Sequence, residues 1–244
     1  VVMNMNLHCL ALRHVAVSDS RSLLSAWSRE LGRITLAFPS ATSREGRRRR
    51  ALTPPMALFE GVAEVRPGRE VLAMRDLSPL AGSVATAMPS PARAATAAVL
   101  AEMLDLLLRR SEADIPLDDC LNSGAMALAT ASGEALAAFA PVFLFRITRH
   151  MGICPDMESY APGRVFDMRE GRFRTSLPLH EDYVDTEGSA LLAALAAADP
   201  RQPVLPGVDR LGRRRALELM VRYFSVHLGT PGTLRSLAVL AAFD

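Results

Sequence analysis

Lysine is absent from this chain: all 28 basic residues are arginine. No Walker A lysine, Schiff-base lysine or kinase-type lysine exists, which argues against nucleotide-driven and pyridoxal-type chemistry. A uniform preference for arginine also means that the choice of arginine at any one place says little, whereas its clustering still says something. Cysteine is scarce. Cys9, Cys120 and Cys154 are odd in number, widely spaced and form no CxxC pair, so neither a disulfide framework nor a zinc site is indicated. Buried thiols in a reducing cytoplasm are the expectation. Long apolar runs are missing as well. The most apolar stretch, Ala135–Phe145, is shorter than the roughly 20 residues that span a bilayer. No basic region precedes an apolar run at the N-terminus, so no signal peptide is expected. GxSxG, HExxH and GxGxxG are all lacking, which favours a binding protein over an enzyme and gives no cofactor.

What is present is an uneven charge. The net charge is only +2, yet residues 1–80 hold 12 arginines against 7 acids, and residues 81–244 hold 16 against 19. The positive field belongs to the N-terminal third. Its centre is Ser40–Pro55, where Arg44, Arg47, Arg48, Arg49 and Arg50 are opposed only by Glu45. Guanidiniums this close repel unless an anion or water separates them, and nucleic-acid phosphate is the obvious anion. Between apolar strands, the stretch reads as a charged loop projecting from a β-domain. A solvated surface loop is the plainer alternative.

Five strands are expected around it. Leu7–Val17 alternates, with Leu10 and Leu12 on one side and Ala11 and Arg13 on the other. Arg21–Arg29 reads as a strand, with a helix as the alternative, and Arg33–Phe38 is β-branched and apolar. Met56–Val65 and Glu70–Leu77 flank an RPGR turn. Five short strands with one long basic connection after the third fit an oligonucleotide-binding (OB) barrel over residues 1–80. Such barrels bind single strands by charge and stacking. Here Trp27, Phe38 and Phe59 read as core, which leaves charge to carry the binding.

Ser78–Pro91 is rich in Pro, Ser and Ala and is read as the join to a mainly helical domain, residues 81–244. Helices are expected over Ala92–Arg110, Asp118–Ala131 (capped by Asp118 or Asp119), Glu134–Met151, Thr186–Ala198 and Gly207–Leu228. Pro141 should kink its helix or begin a new one. Arg164–Arg174 reads as a hairpin turning at Glu170–Gly171, and Leu234–Phe243 as an apolar segment packing back on the bundle. Arg213, Arg214 and Arg215 form a second basic cluster. The fold class is therefore α+β, a five-stranded barrel followed by helices with a small hairpin. The densest set of potential metal ligands, His180–Glu187, matches no standard spacing and reads as loop and helix cap. A small metal-dependent hydrolase built on that stretch and a protein-binding scaffold whose basic loop meets an acidic partner remain alternatives to a DNA binder.

Two stretches converge on one family. Arg33–Pro55 resembles the RecO pattern of a strand, a basic loop and an "ALQP" strand start, written here as Ala51, Leu52, Thr53 and Pro54. Met220–Phe243 resembles the RecO ending, with Tyr223, His227, Leu228, Leu234, Ser236, Leu237, Val239, Leu240 and Phe243 in the expected places. Leu100–Leu104 with Glu102 fits the first helix of its helical domain. The order of elements matches from Leu7 to Phe243. The resemblance implies a bacterial recombination mediator in the cytoplasm, associated with the nucleoid. Such a protein binds single- and double-stranded DNA, anneals complementary strands and works with RecR. It also binds the acidic tail of the single-stranded-DNA-binding protein (SSB) and helps load RecA, with no nucleotide hydrolysis and no membrane. Many relatives hold a four-cysteine zinc site after the third helix. Cys154 stands alone here, which resembles the branch without zinc. On this reading Arg44–Arg50, with Arg21 and Arg33 nearby, would contact DNA. Arg146, Arg149 and Arg222 are candidates for the rim of a groove that takes the SSB tail.

Overall fold

The computed structural model describes residues 3–230 and 234–241, so Phe243 lies outside the described residues. Five strands form the N-terminal sheet: β1 (Met3–Ala16), β2 (Arg21–Ser28), β3 (Gly32–Pro39), β4 (Leu58–Val65) and β5 (Val71–Pro79). β1 pairs with both β2 and β4, and the strand order β1-β2-β3-β5-β4 closes on itself. All pairings are antiparallel except β3 with β5. β3 shows strict alternation of buried and part-buried residues, as a strand with one face on a core must. Leu7, Cys9, Leu24, Leu36, Phe38, Phe59, Leu72 and Met74 fill the interior.

β1 departs from the expected alternation. Its register shifts between Ala11 and Arg13, and Cys9, Leu10, Ala11 and Leu12 are all buried. A bulge adds one residue and bends the strand. Both faces are then covered, by the barrel interior on one side and by α2 (Pro91–Leu107) and α3 (Ile115–Thr130) on the other.

Polar bonds fix that outer layer. The Trp27 indole donates to Asp118 Oδ1 at 3.1 Å, and Arg29 Nη1 donates to Asp118 Oδ2 at 2.7 Å. Asp118 was expected to cap α3. It lies instead within the first turn, buried, while Asp114 accepts from the Leu117 amide at 2.7 Å. The Ile115-Pro116 pair explains the shift, because proline suits the first turn, where no amide is needed. A carboxylate facing the barrel is better used on Trp27 and Arg29 than on a helix end.

The chain divides into two compact units, Val1–Thr130 and Ala131–Asp244. The expected join near residue 80 coincides with the end of β5, but α2 and α3 pack with the barrel rather than with the later helices. The second unit holds α4 (Gly133–His150), β6 (Val165–Asp167), β7 (Arg172–Arg174), β8 (Tyr183–Val184), α5 (Thr186–Ala197), α6 (Arg210–Leu228) and the short α7 (Leu237–Leu240). α4 runs through Pro141 unbroken, so that proline starts no new helix. β6 and β7 form the expected hairpin, with Phe166 opposite Phe173, and β8 joins them as an unforeseen third strand. Tyr223 donates to Ile153 O at 2.9 Å, and His227 Nε2 lies 2.6 Å from Met168 O. These two residues of the RecO-like ending thus pin α6 to the segment after α4 and to the turn of the hairpin.

Candidate nucleic-acid interface

The basic stretch is not a projecting loop. It is a nine-residue helix, α1 (Arg44–Leu52), seated between β3 and β4 in the chain and packed on β3 and β5. Ser43 caps it by accepting from the Gly46 amide at 2.9 Å. Glu45 lies in the first turn and Arg49 and Arg50 in the last, where each sign of charge suits the helix dipole. Gly46 permits the seat: a Cβ there would come 1.8 Å from Ser40 O. Nothing but glycine lets the helix approach its own incoming chain so closely.

Both ends of α1 are tied down. At the start, Ser40 N donates to Ser20 O at 2.9 Å, and Thr42 Oγ1 to Asp19 O at 3.4 Å. At the finish, His14 Nε2 lies 3.0 Å from Thr53 O. Burial pushes the His14 pKa down, and the charge of Arg50 adds to the effect, against the hydrogen bond to Thr53. A neutral imidazole donating from Nε2 fits this environment.

The arginines separate into two kinds. Arg49 is structural: it donates to Glu45 Oε1 at 2.7 Å and to Met74 O at 2.8 Å, and its guanidinium lies 5.6 Å from the Phe38 ring centre. Arg44, Arg47, Arg48 and Arg50 are exposed. Arg47 donates to Thr42 O at 2.7 Å, and Arg48 only grazes Glu45 at 3.9 Å. The side chains of Arg44 and Arg50 make no ion pair among the described residues. Along α1 the like-charge spacings 44/47, 44/48 and 47/50 outnumber the opposite-charge spacings 45/48 and 45/49. Each like-charge pair costs a helix about 0.2–0.5 kcal/mol, a cost that a bound anion removes.

Of the other predicted residues, Arg21 is exposed at the start of β2, paired with Pro39 beside the lead-in to α1. Arg33 is a correction. It is turned away from this surface, with Nη2 2.5 Å from Asp105 Oδ1 and both side chains largely buried. Burial lowers its pKa against the pull of Asp105, and it serves the β3–α2 packing. Arg75 on β5 was not foreseen. Its side chain is 63% exposed and lines a cleft with Arg48 and Arg49. Trp27, Phe38 and Phe59 are buried as expected, so they offer no stacking platform.

In the second unit, Arg146 and Arg149 lie one turn apart near the end of α4, part-buried and exposed respectively. Arg222 stands elsewhere, on α6, where it donates to Glu181 O at 2.6 Å. The cleft beside it carries Glu181, Asp185 and Glu218 as well as Arg215, so it is not a basic rim. The His180–Glu187 stretch is engaged by arginine. Asp182 accepts from Arg169 at 2.7 Å, which holds its carboxyl below the usual range, and Arg215 spans Asp185 and Glu187 at 2.6 Å each.

No family model matches the chain. Individual relatives do. The DNA repair protein RecO of Bacteroides fragilis is 28% identical over 233 residues, 95% of each chain. That of Phocaeicola vulgatus is 27% identical over 231 residues, again 95% of each. That of Porphyromonas gingivalis is 30% identical over 226 residues, 90% of each. With identity at that level running through both units and almost end to end, this chain belongs to the RecO family of DNA repair proteins.

Proposed function

We propose that this protein acts in DNA repair and recombination as a mediator without turnover of its own, holding DNA on the outer face of α1. The five-stranded ring, with its parallel β3–β5 pairing and a helix between β3 and β4, supports an OB barrel. The observation that carries the reading is a helix anchored at both ends whose exposed side bears Arg44, Arg47, Arg48 and Arg50, with Arg21 at its foot. A rigid basic platform with buried aromatics suits phosphate rather than bases, so binding is independent of sequence and sensitive to salt. Two strands held on such charge repel each other less, and base pairing then supplies the free energy of annealing. We extend the proposal to work with RecR, RecA loading, a nucleoid location and capture of an SSB tail, which the resemblance to RecO supports. For the tail, Arg146 and Arg149 are the stronger candidates, since Arg222 is held by Glu181.

The test is a strand-annealing assay, with and without SSB, comparing the unaltered protein with one carrying Ala at 44, 47, 48 and 50. With five arginines on single-stranded phosphate, log affinity falls with log salt at a slope of about −3.5. The variant should anneal poorly, with a slope near −0.7. A flat salt dependence together with tight binding to an acidic protein would support the scaffold reading instead.

A further inference from the structure

Beside α1 lies a polar cleft of about 250 Å³, lined by Glu45, Arg48, Arg49, Leu52, Arg75 and Asp76 among others. The local backbone builds it. Opposite Gly61, the β4–β5 register shifts, so that two residues of β5, Asp76 and Leu77, face one of β4. Asp76 takes φ +56° there. A left-handed residue within a bulge turns the strand and re-aims its side chains. Here the bulge sets Arg75 and Asp76 toward α1. The floor is rigid, because Arg49 bonds both Glu45 and Met74 O.

The arms are not rigid. Arg48 Nη1 is 3.9 Å from Glu45 Oε2, and Arg75 Nη1 is 3.8 Å from Asp76 Oδ2, both beyond hydrogen-bond length. All four side chains are about half exposed or more. Contacts of this kind are worth little. A phosphate offers guanidinium groups shorter, charge-assisted bonds.

We propose that Arg48 and Arg75 clamp one backbone phosphate across this cleft, and that Glu45 and Asp76 occupy the two arms until DNA displaces them. The inference rests on the reading that α1 meets DNA, and it adds a residue, Arg75, and a brake. The carboxylates hold the arginines loosely in the free protein and reduce their attraction for unsuitable anions. Glu45 is ionised for this role: hydrogen bonding to Arg49 lowers its pKa.

The experiment measures binding of a fluorescent mixed-sequence single strand, roughly 30 nucleotides long, across a salt series. Glu45→Gln and Asp76→Asn should each tighten binding about two- to fivefold at low salt, the range of a surface ion pair. Asparagine keeps the left-handed backbone at 76 accessible. Arg75→Ala should weaken binding and make the salt slope shallower by about 0.7. The decisive variant is Asp76→Asn with Arg75→Ala, which should bind no more tightly than Arg75→Ala alone. Glu112→Gln serves as control. Glu112 lies next to Ser111, whose carbonyl accepts from Arg33 at the start of β3, at the opposite end of that strand from α1. Equal gains from Glu112→Gln, or an Asp76→Asn gain that persists without Arg75, would overturn the clamp and leave the α1 reading standing. Failure of the unaltered protein to bind the strand would overturn both.

Discussion

Two runs of arginine in this chain have opposite fates. On α6, Arg213, Arg214 and Arg215 are consecutive and each is engaged by its own unit: Arg213 donates to Val208 O at 2.9 Å, Arg214 to Glu218 at 3.0 Å, and Arg215 to Asp185 and Glu187. On α1, Arg49 is held by Glu45 and Met74 O, and Arg47 donates to Thr42 O. Arg44, Arg48 and Arg50 face outward over a single acid. The contrast teaches that a basic run reveals little until its acids are located. The α6 run meets acids that lie 28 and 30 positions away on α5 and its cap, and the α1 run meets almost none. Folding has engaged every member of one cluster and has left the side chains of Arg44, Arg48 and Arg50 of the other without a hydrogen bond among the described residues.

Several changes would sharpen or break this contrast. The largest effect belongs to an arginine that folding has used. Asp105→Ala leaves Arg33 buried and unpaired and should cost about 3–5 kcal/mol by chemical denaturation; a cost below about 1 kcal/mol would return Arg33 to the list of DNA ligands. Next comes the exchange of Arg44, Arg47, Arg48 and Arg50 for Ala, with an expected loss of about 100-fold in DNA affinity at low salt. Its melting temperature should stay level or rise, since like-charge pairs are removed. A marked fall would mean that these arginines are structural after all. Arg215→Ala should lower stability by about 1 kcal/mol, the upper end for an exposed pair, and leave DNA affinity unchanged.

The smallest effect is one of pH. Burial depresses the His14 pKa in the folded chain. Its contribution to stability is therefore full above its ordinary value of about 6.5 and is lost as pH falls toward the lowered value. Stability of the barrel unit should decline as pH falls below about 6.5, and His14→Asn should flatten that decline.

Much of the fold was legible because its signals are local. The RPGR turn, the β-branched and apolar run Arg33–Phe38 and the apolar faces of the long helices each depend on near neighbours. The helix at Arg44–Leu52 was missed because it has no apolar stripe, and hydrophobic periodicity cannot register a helix that is polar nearly all round. Its caps were visible nonetheless: Ser43, an acid in the first turn, and arginines in the last. The candidate site was legible as a cluster and illegible as a surface. Arg33 was withdrawn from it by Asp105, which lies 72 positions away, and Arg75 was added by a bulge. Neither event leaves a trace in local spacing, because each depends on how β3, β5 and α2 come together.

Trp27 is the chain's one tryptophan, and its indole is spent on Asp118, within the seam between barrel and helices. The protein therefore carries an optical gauge of that seam. Its emission should be blue-shifted in the native state and should redden when α3 lifts from the barrel, even if the strands persist. A fragment cut after residue 80 would lose Asp118 and leave this ring facing water, so its colour alone would report whether a barrel made without α2 and α3 is native.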